Sequence, residues 1–402
     1  LSIATTNAHN SCKNRRKYRR KSHTNDLPRR APQALIKNTH GTAYKKPCIT
    51  FAYTFMFLTR LSTKRLSLIL AVAIHAAYAA SVGIPLKNHN DVLWSGLITV
   101  GGVDFNVMFD TGSPDLILPG PSCTTNCKGH TVYNPNSPTS RDLGQKDLTL
   151  TFEDDATATV DKFSDTVRIG GLEATSQTVG VATQYSSNLG IDTFPADGIL
   201  GLAFESISGL EASPVVESLI TQGQLNEPVF SFKLAASGSE LFMGGANSAM
   251  YAGDFTYTPV TQQGFWEVNV DSIDGNGATM MSNIAAIIDT GSSLTVLAPS
   301  LAAEFHQALG GTDASSTAGS GYYTFPCDSF PDISFTLGGT SFPMSYDTLN
   351  LGQLTKGSKD CVSSIVGQHS ADRVAVIGNN FLRNVYTSFD IGNQQIGFAQ
   401  LA

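Results

Sequence analysis

The sequence predicts an all-β protein built from two homologous β-lobes with small helical insertions and a central cleft. Two observations lead to this fold class. The chain of 402 residues contains one motif written twice, and most of the rest consists of short apolar runs separated by turn residues. The composition agrees, because 37 glycines and only 15% charged residues suit a β-rich globular protein better than a helical one.

The repeat decides the architecture. Residues 106–118 read NVMFDTGSPDLIL and residues 286–297 read AIIDTGSSLTVL, so each copy has an apolar run, then Asp-Thr-Gly-Ser, then a second apolar run. Each copy is followed at a similar distance by an apolar stretch that contains glycine: ADGILGL at 196–202 and VAVIGNNF at 374–381. Two lobes of common descent in tandem are therefore expected, each with an acid on a tight turn between buried strands.

Turn signals divide the rest of the chain into short strands. We expect one helix capped by Ser213, with Pro214 at its first position and Gly223 at its end. A second helix is expected from 300 to 309, with Gly310 after it, because Leu301, Phe305, Ala308 and Leu309 recur at helical spacing. The expected strands are 148–152, 166–169, 230–234, 240–243, 255–260, 266–273, 333–337 and 395–399.

The amino-terminal part resembles an export signal preceded by unrelated sequence. The first methionine is Met56, and a basic stretch, the apolar run 66–77 and the small-residue cleavage pattern Ala-Tyr-Ala follow it. We interpret 56–80 as a signal peptide and 1–55 as disordered or as a wrongly joined upstream segment. A retained type II membrane anchor is the alternative. Residues 81–255 then form the amino-terminal lobe and 256–402 the carboxy-terminal lobe.

Charge separates these parts as well. Residues 1–80 hold 15 Lys or Arg and a single acid, whereas residues 81–402 hold 11 Lys or Arg and 32 Asp or Glu, a net charge of −21. Such an acidic surface repels nucleic acid. We therefore expect a secreted, extracellular monomer that acts on polypeptides, with no nucleic-acid partner and no stable membrane association.

Four of the six cysteines fall within the exported body, in two local pairs. An even number in an exported protein implies two disulfides, most simply Cys123 with Cys127 and Cys327 with Cys361. A CxxxC metal site is the alternative, but no nearby histidine is spaced to complete it. We expect no metal and no cofactor.

The repeated acids, Asp110 and Asp289, predict the chemistry. A single Asp-Thr-Gly is a weak signal because it occurs by chance in turns, but two copies in apolar strands are specific. Amide hydrolysis by water needs a base for the water and an acid for the leaving nitrogen. Two carboxylates about 3 Å apart cannot both ionise, so they share one proton and supply both functions.

The residues after each acid fit that function. Gly112 and Gly291 allow close approach of the backbone. The hydroxyl groups of Ser113 and Ser292 can donate hydrogen bonds to the carboxylates.

On these motifs, residues 84–402 resemble the pepsin-like aspartic proteases (peptidase A1), and most of all the secreted basidiomycete enzymes related to polyporopepsin. The resemblance implies a bilobal acid protease fold in which Asp110 and Asp289 are catalytic. It implies that Thr111 and Thr290 brace the two loops against each other, and that the two cysteine pairs match two of the family's disulfides. It also implies a fungal endopeptidase active at acidic pH, preferring large apolar residues around the scissile bond.

The resemblance also implies a hairpin flap, at 148–160, that closes over the substrate. Here the sequence departs from the family, because Phe152 stands where the family has Tyr, and Glu153 and Asp154 follow it at the tip. Ile117 occupies the position of the Trp that normally bonds that Tyr, so both partners of the bond are replaced together. An altered flap is expected, and a catalytically impaired binding protein of the same fold is the alternative.

One further departure lies beside the second glycine motif. Asn379 follows Gly378 where many relatives have Asp. We expect Asn379 to cap the next helix in place of that Asp. We also expect the loss of one negative charge to lower the pKa of the acid pair slightly.

Overall fold

The computed structural model describes residues 79–152, 155–368 and 374–402. The expected segment 1–55 and almost all of the expected signal peptide lie outside the described residues. Strands dominate the described part, which confirms the predicted all-β class. In the first half they are β1 Val82–His89, β2 Leu93–Val100, β3 Val103–Asp110, β4 Leu116–Pro119, β5 Arg141–Asp142, β6 Leu148–Thr151, β7 Thr157–Ile169, β8 Leu172–Tyr185 and β9 Gly198–Gly201.

The second half continues the series. Its strands are β10 Val229–Lys233, β11 Ser239–Met243, β12 Tyr251–Gln262, β13 Glu267–Gly275, β14 Ala278–Ile288, β15 Thr295–Leu297, β16 Thr312–Asp313, β17 Tyr323–Pro326, β18 Ile333–Leu337, β19 Thr340–Pro343, β20 Asn350–Gln353, β21 Asp360–Ser363, β22 Ile365–Gly367, β23 Ala375–Ile377, β24 Val385–Asp390 and β25 Gln395–Leu401.

The helices are short. They are α1 Val215–Thr221, α2 Pro299–Ala308, α3 Ser315–Ala318, α4 Tyr346–Leu349 and α5 Asn379–Leu382, with 3₁₀ turns at Ser187–Leu189 and Glu205–Ile207. In the described part of the chain, no helix is long and apolar enough to cross a membrane.

Three large groups of paired strands organise the described body, and β16, β17, β21 and β20 form a separate small sheet. In the first, β2, β3, β9, β4, β8 and β7 pair in turn and β7 returns to β2, with β5 and β6 added on β7. In the second, β13 pairs with β14 and β18, β23 joins β14 to β15, and β15 also pairs with β22. Each of these two groups contains one copy of the repeated motif.

The third group joins the two ends of the chain. Its strands run β1, β11, β10, β24, β25 and β12, all antiparallel. The boundary expected between residues 255 and 256 falls inside β12 of this sheet. Buried Phe230, Phe389 and Trp266 pack together above it, with the two phenylalanine rings stacked at 4.9 Å.

The helix ends correct three sequence expectations. Pro214, not Ser213, is the residue before α1, and the Ser213 hydroxyl donates to the Glu205 carboxylate instead of capping the helix. In α2 the buried face is formed by Ala302, Phe305 and His306, whereas the expected Ala308 is exposed, and the helix begins one residue earlier than expected.

At α5 the expected cap is also wrong. Gly378 is the residue before the helix, and the side chain of Asn379 makes no capping hydrogen bond. Asn379 is the first helical residue, so its side chain is directed away from the free amide groups of its own helix.

Candidate active site

The two Asp-Thr-Gly loops lie at corresponding ends of two strands. Asp110 is the last residue of β3, and Asp289 directly follows β14. A parallel strand lies beside each one: Asp110 is in register with Gly201 of β9, and Ile288 with Ile377 of β23. The apolar-glycine stretches that the sequence repeats therefore support the loops that carry the acids.

The glycine of each stretch makes this packing possible. A Cβ on Gly201 would lie 2.3 Å from the Pro114 carbonyl carbon, and one on Gly378 would lie 2.4 Å from the Leu294 carbonyl oxygen. Contacts this close with backbone do not occur for real side chains, so only glycine allows the strand to pass against the loop. This explains why a glycine follows each motif.

The two carboxyl groups are brought together at the centre of the body. Asp110 and Asp289 have no exposed surface, and their side chains hydrogen bond to each other. Around Asp110, the Gly112 amide donates to Oδ1 at 2.8 Å and the Ser113 hydroxyl donates to Oδ2 at 2.5 Å. The same pattern surrounds Asp289.

In that second loop the Gly291 amide donates to Asp289 Oδ1 at 2.8 Å, and the Ser292 hydroxyl also bonds the carboxyl group. The two loops thus present matched carboxyl groups, each held by its own glycine and serine.

The threonines connect the loops to each other. The Thr111 hydroxyl donates to the Ile288 carbonyl at 2.9 Å and accepts from the Thr290 amide at 2.9 Å. Reciprocally, the Thr290 hydroxyl donates to the Phe109 carbonyl at 2.8 Å and accepts from the Thr111 amide at 3.1 Å. Four hydrogen bonds therefore fix one acid relative to the other.

Burial and proximity change the acidity of the pair. Burial raises the pKa of Asp110 well above its ordinary value, and the neighbouring Asp289 carboxyl raises it further. Burial also raises the pKa of Asp289. Because two adjacent buried charges repel each other, one proton is retained between the carboxyl groups at a pH where isolated carboxyls would be ionised.

Comparisons with known proteins point the same way. Residues 94–401 match the profile of the family described as eukaryotic aspartyl proteases. The chain belongs to that family. An aspartic protease of Phaffia rhodozyma is 39% identical over 334 residues, 81% of this chain and 81% of that protein. Pepsin A of Sus scrofa and of Bos taurus are each 32% identical over 332 residues, which cover 79% of this chain and 84% or 87% of the pepsin.

Membership confirms the resemblance drawn from the repeated motif, and this aspartyl protease is an aspartic-type endopeptidase, a hydrolase. The fold also agrees with the bilobal architecture of the family.

A cavity of 610 Å³ opens beside the second loop of the protease. It is lined from both lobes, by residues that include His89, Val92, Leu93, Thr193, Gly291 and Ser293. Gly291 and Ser293 flank Ser292 in the loop of Asp289, so the cavity adjoins the loop that carries the second acid.

The hairpin that was expected to form the flap consists of β6 and the start of β7, and Phe152 directly follows the end of β6. The ring of Phe152 is buried and belongs to the same apolar cluster as Ile117 and Leu150. The two apolar replacements noted in the sequence therefore share one hydrophobic cluster in place of a polar contact. Glu153 and Asp154, also expected at the flap tip, lie outside the described residues.

The cysteines pair as expected. Cys123 bonds Cys127, and Cys327 bonds Cys361. The second disulfide joins the end of β17 to β21, 34 residues further along the chain.

Two features near the acids were missed from the sequence. Asp115, five residues after Asp110, is almost fully buried and accepts hydrogen bonds from the Ser208 hydroxyl and the Gly209 amide. Burial raises its pKa, although these bonds oppose the shift. The turn at Val92 is held against the Asp289 loop by Ser293. Asp115 could have been found from the sequence, because it is an acid inside the repeated motif. Nothing in the sequence marked Ser293 as a residue that contacts Val92.

Proposed function

We propose that the chain is a secreted endopeptidase that hydrolyses peptide bonds at acidic pH, with Asp110 and Asp289 as its catalytic residues. One observation carries the proposal: two fully buried carboxyl groups from two separate loops contact each other and are braced by the reciprocal threonine hydrogen bonds. A structural pair of acids would have no need of two matched loops of this kind.

The reaction follows from the shared proton. The ionised carboxylate removes a proton from a water molecule while the water oxygen attacks the peptide carbonyl carbon, and the protonated carboxyl donates its proton to the carbonyl oxygen. In the resulting diol intermediate the carboxyl proton then passes to the nitrogen and the C–N bond breaks, while a carboxylate takes the proton of one hydroxyl group as the carbonyl re-forms. The pair ends with one proton, as it began.

Acid activity follows from the same arrangement. The pair works only while it holds one proton, and burial together with mutual repulsion retains that proton above the ordinary carboxyl pKa. Activity is therefore expected at roughly pH 2.5 to 5, where the pair is singly protonated, and is lost near neutrality when the proton leaves.

Polypeptides are the proposed substrates, with large apolar side chains on both sides of the scissile bond. Val92 and Leu93 line the cavity beside the Asp289 loop, and the Val92 side chain is 55% exposed there. Apolar substrate side chains would cover this surface. We propose that the enzyme works as a monomer, without a nucleic-acid or membrane partner.

Secretion is supported by two disulfides, which persist in oxidising compartments, and by the signal-like sequence 56–80. Amino-terminal sequencing of protein recovered from the medium tests it. A mature start shortly after residue 79 is expected, whereas a start within 1–55 would contradict the export signal.

The direct test of the activity is cleavage of an acid-denatured protein between about pH 2.5 and 7, with and without pepstatin. We expect cleavage at acidic pH that pepstatin blocks, and little cleavage at pH 7. A folded preparation that cleaves nothing at any pH would favour the alternative, a catalytically impaired binding protein. The complete set of acid, threonine and serine contacts speaks against that alternative.

A further inference from the structure

The turn between β1 and β2 forms part of the cavity wall beside the acids. Asn90 and Asp91 both have left-handed backbone conformations, with φ of 56° and 60°, and Val92 follows them into the cavity lining. This turn belongs to the first half of the chain, but the cavity is completed by Gly291 and Ser293 of the Asp289 loop. The position of the turn relative to that loop therefore sets the shape of the cavity.

Groups from the carboxy-terminal lobe hold the turn in place. The Val92 carbonyl accepts from the Ser293 hydroxyl at 2.9 Å and from the Asn379 amide nitrogen at 3.4 Å. The Arg383 guanidinium donates to the Asp91 carboxylate at 3.0 Å. All three donors come from the loop of Asp289 or from α5 and the residue after it.

Asn379 connects the Val92 turn to the Asp289 loop. It is completely buried, and the same Nδ2 that reaches Val92 donates to the Thr290 carbonyl at 3.2 Å. An amide nitrogen carries two hydrogens, one for each carbonyl. Within the described residues the Asn379 Oδ1 accepts no hydrogen bond, so the side chain is oriented by its donors alone.

We propose that Asn379 is a positioning residue for peptide hydrolysis, which holds the Val92 turn against the Asp289 loop and so fixes the substrate cavity beside the two acids. The inference rests on the proposed function of those acids. Asn379 is fully buried and therefore does not touch the substrate. Its effect on substrate binding is exerted through the positions of Val92 and Thr290.

An amide and a carboxyl group at position 379 differ increasingly as the pH rises. A protonated carboxyl group offers one hydrogen to the two carbonyls, and an ionised one offers none and repels both oxygens. An amide donates to both at every pH. The Asn379→Asp substitution, which keeps the size of the side chain, therefore converts a constant contact into one that weakens as the pH rises.

Other charged groups surround this contact. Arg383 donates its backbone amide to the Asn379 carbonyl and pairs with Asp91. His89, whose carbonyl accepts from the Val92 amide, lines the same cavity, and burial lowers its pKa. Asp289 precedes Thr290 and contacts Asp110. All five groups are present in both the wild type and an N379D variant. The new carboxylate also raises the pKa of the acid pair, which acts on kcat, so KM is the quantity that isolates the Val92 contact.

The experiment measures kcat and KM for an apolar peptide from pH 3 to 6.5 in the wild type, N379D and N380D. For N379D we expect kcat/KM within about threefold of wild type at pH 3, and a ratio to wild type that falls at least fivefold by pH 6.5, mostly through KM. Asn380 is the matched control, because it is a buried neighbour whose side-chain hydrogen bonds, among the described residues, go to Thr295 and Ser364 and not to Val92 or Thr290. For N380D we expect a lower unfolding midpoint and a ratio that stays flat with pH.

A flat ratio for N379D, or an equal fall for N380D, would overturn the proposal. If N379D does not fold, R383M tests the same turn from its other anchor. A KM raised severalfold with kcat within about twofold supports the proposal, and an unchanged KM overturns it. An Asp289→Asn enzyme in the same assay separates the two claims. An inactive wild type, or an Asp289→Asn enzyme as active as the wild type, defeats the proposed function. An active wild type with an inactive Asp289→Asn enzyme and a flat N379D ratio defeats only this inference.

Discussion

Thr111 and Thr290 show how much of the site depends on single hydroxyl groups. Each one donates to a carbonyl of the opposite strand and accepts from the opposite amide. Because all of these groups are buried, the loss of one hydroxyl leaves two main-chain groups without partners. A buried group left without its hydrogen bond costs about 1–3 kcal/mol.

We therefore expect Thr111→Val, which keeps the shape of the side chain, to lower the free energy of unfolding by about 2–5 kcal/mol. The same change should lower kcat at least tenfold, because the two acids are no longer held in register. Thr387→Val is the matched control, since the Thr387 hydroxyl is equally buried but has no hydrogen-bond partner in the described structure.

For Thr387→Val we expect a stability within about 1 kcal/mol of wild type and unchanged kcat. Chemical denaturation and steady-state kinetics measure both. Equal losses in the two variants would mean that the Thr111 hydrogen bonds have no special importance.

At this scale the sequence located residues that the structure brings together, but it did not predict the contacts of Asn379. Both acids and their glycines, threonines and serines could be found because a repeated motif is visible in one sequence. The orientation of Asn379 could not be found, since a rule for helix caps looks at local chain position and its hydrogen bonds go to Val92 and Thr290. Contacts between residues 287 positions apart leave no local pattern.

At the scale of elements, α2 places a histidine in the core. His306 on this helix is completely buried; its Nδ1 donates to the Ala302 carbonyl at 2.7 Å and its Nε2 accepts from the Ser363 hydroxyl at 3.1 Å. The ring stacks on Tyr323 with centroids 4.1 Å apart. Burial lowers the pKa of His306 to about 4.

This shift makes the packing of α2 depend on pH. An unfolded histidine takes up a proton near pH 6.5, whereas the folded one takes it up near pH 4. The stability that neutral His306 contributes is therefore fully present above pH 6.5, decreases by about 3 kcal/mol as the pH falls to 4, and changes no further below that.

We expect His306→Gln, which cannot titrate, to be less stable than wild type at pH 7 and to lose this disadvantage by pH 4. Urea denaturation of both proteins at half-unit steps of pH measures the difference. Parallel curves over the whole range would contradict the assignment of this pH dependence to His306.

Element boundaries show the limits of local signals in the same way. The strand at 333–337 was predicted to the residue, whereas the fourteen-residue β8 was not predicted. The helix ends at α1, α2 and α5 were each displaced by about one residue, because tertiary contacts such as the Ser213 to Glu205 hydrogen bond compete with capping.

At the scale of the whole molecule, the repeat was sufficient to predict two related lobes but not what joins them. The six-stranded sheet that runs from β1 to β12 combines strands from both ends of the chain. Its members carry no repeated motif, so nothing in the sequence marks them as partners. This sheet and the threonine contacts together bring two acids, 179 residues apart, into hydrogen-bonding contact.

The central claim is that this pair of acids performs the hydrolysis, and substitution of one of them tests it most directly. Asp289→Asn preserves size and removes the shared proton, so turnover of an acid-denatured protein at about pH 3 should fall by about 10²- to 10⁴-fold. The unfolding midpoint at neutral pH should be unchanged or higher, because burial raises the pKa of Asp289 and makes its ionised form unfavourable.

Asp115→Asn is the matched control, since this acid is also buried and follows Asp110 in the same loop, but its partners are Ser208 and Gly209. We expect it to retain at least about a third of the wild-type turnover. The account predicts a folded, inactive Asp289→Asn enzyme beside an active Asp115→Asn enzyme, and a purified Asp289→Asn enzyme with substantial activity would contradict it.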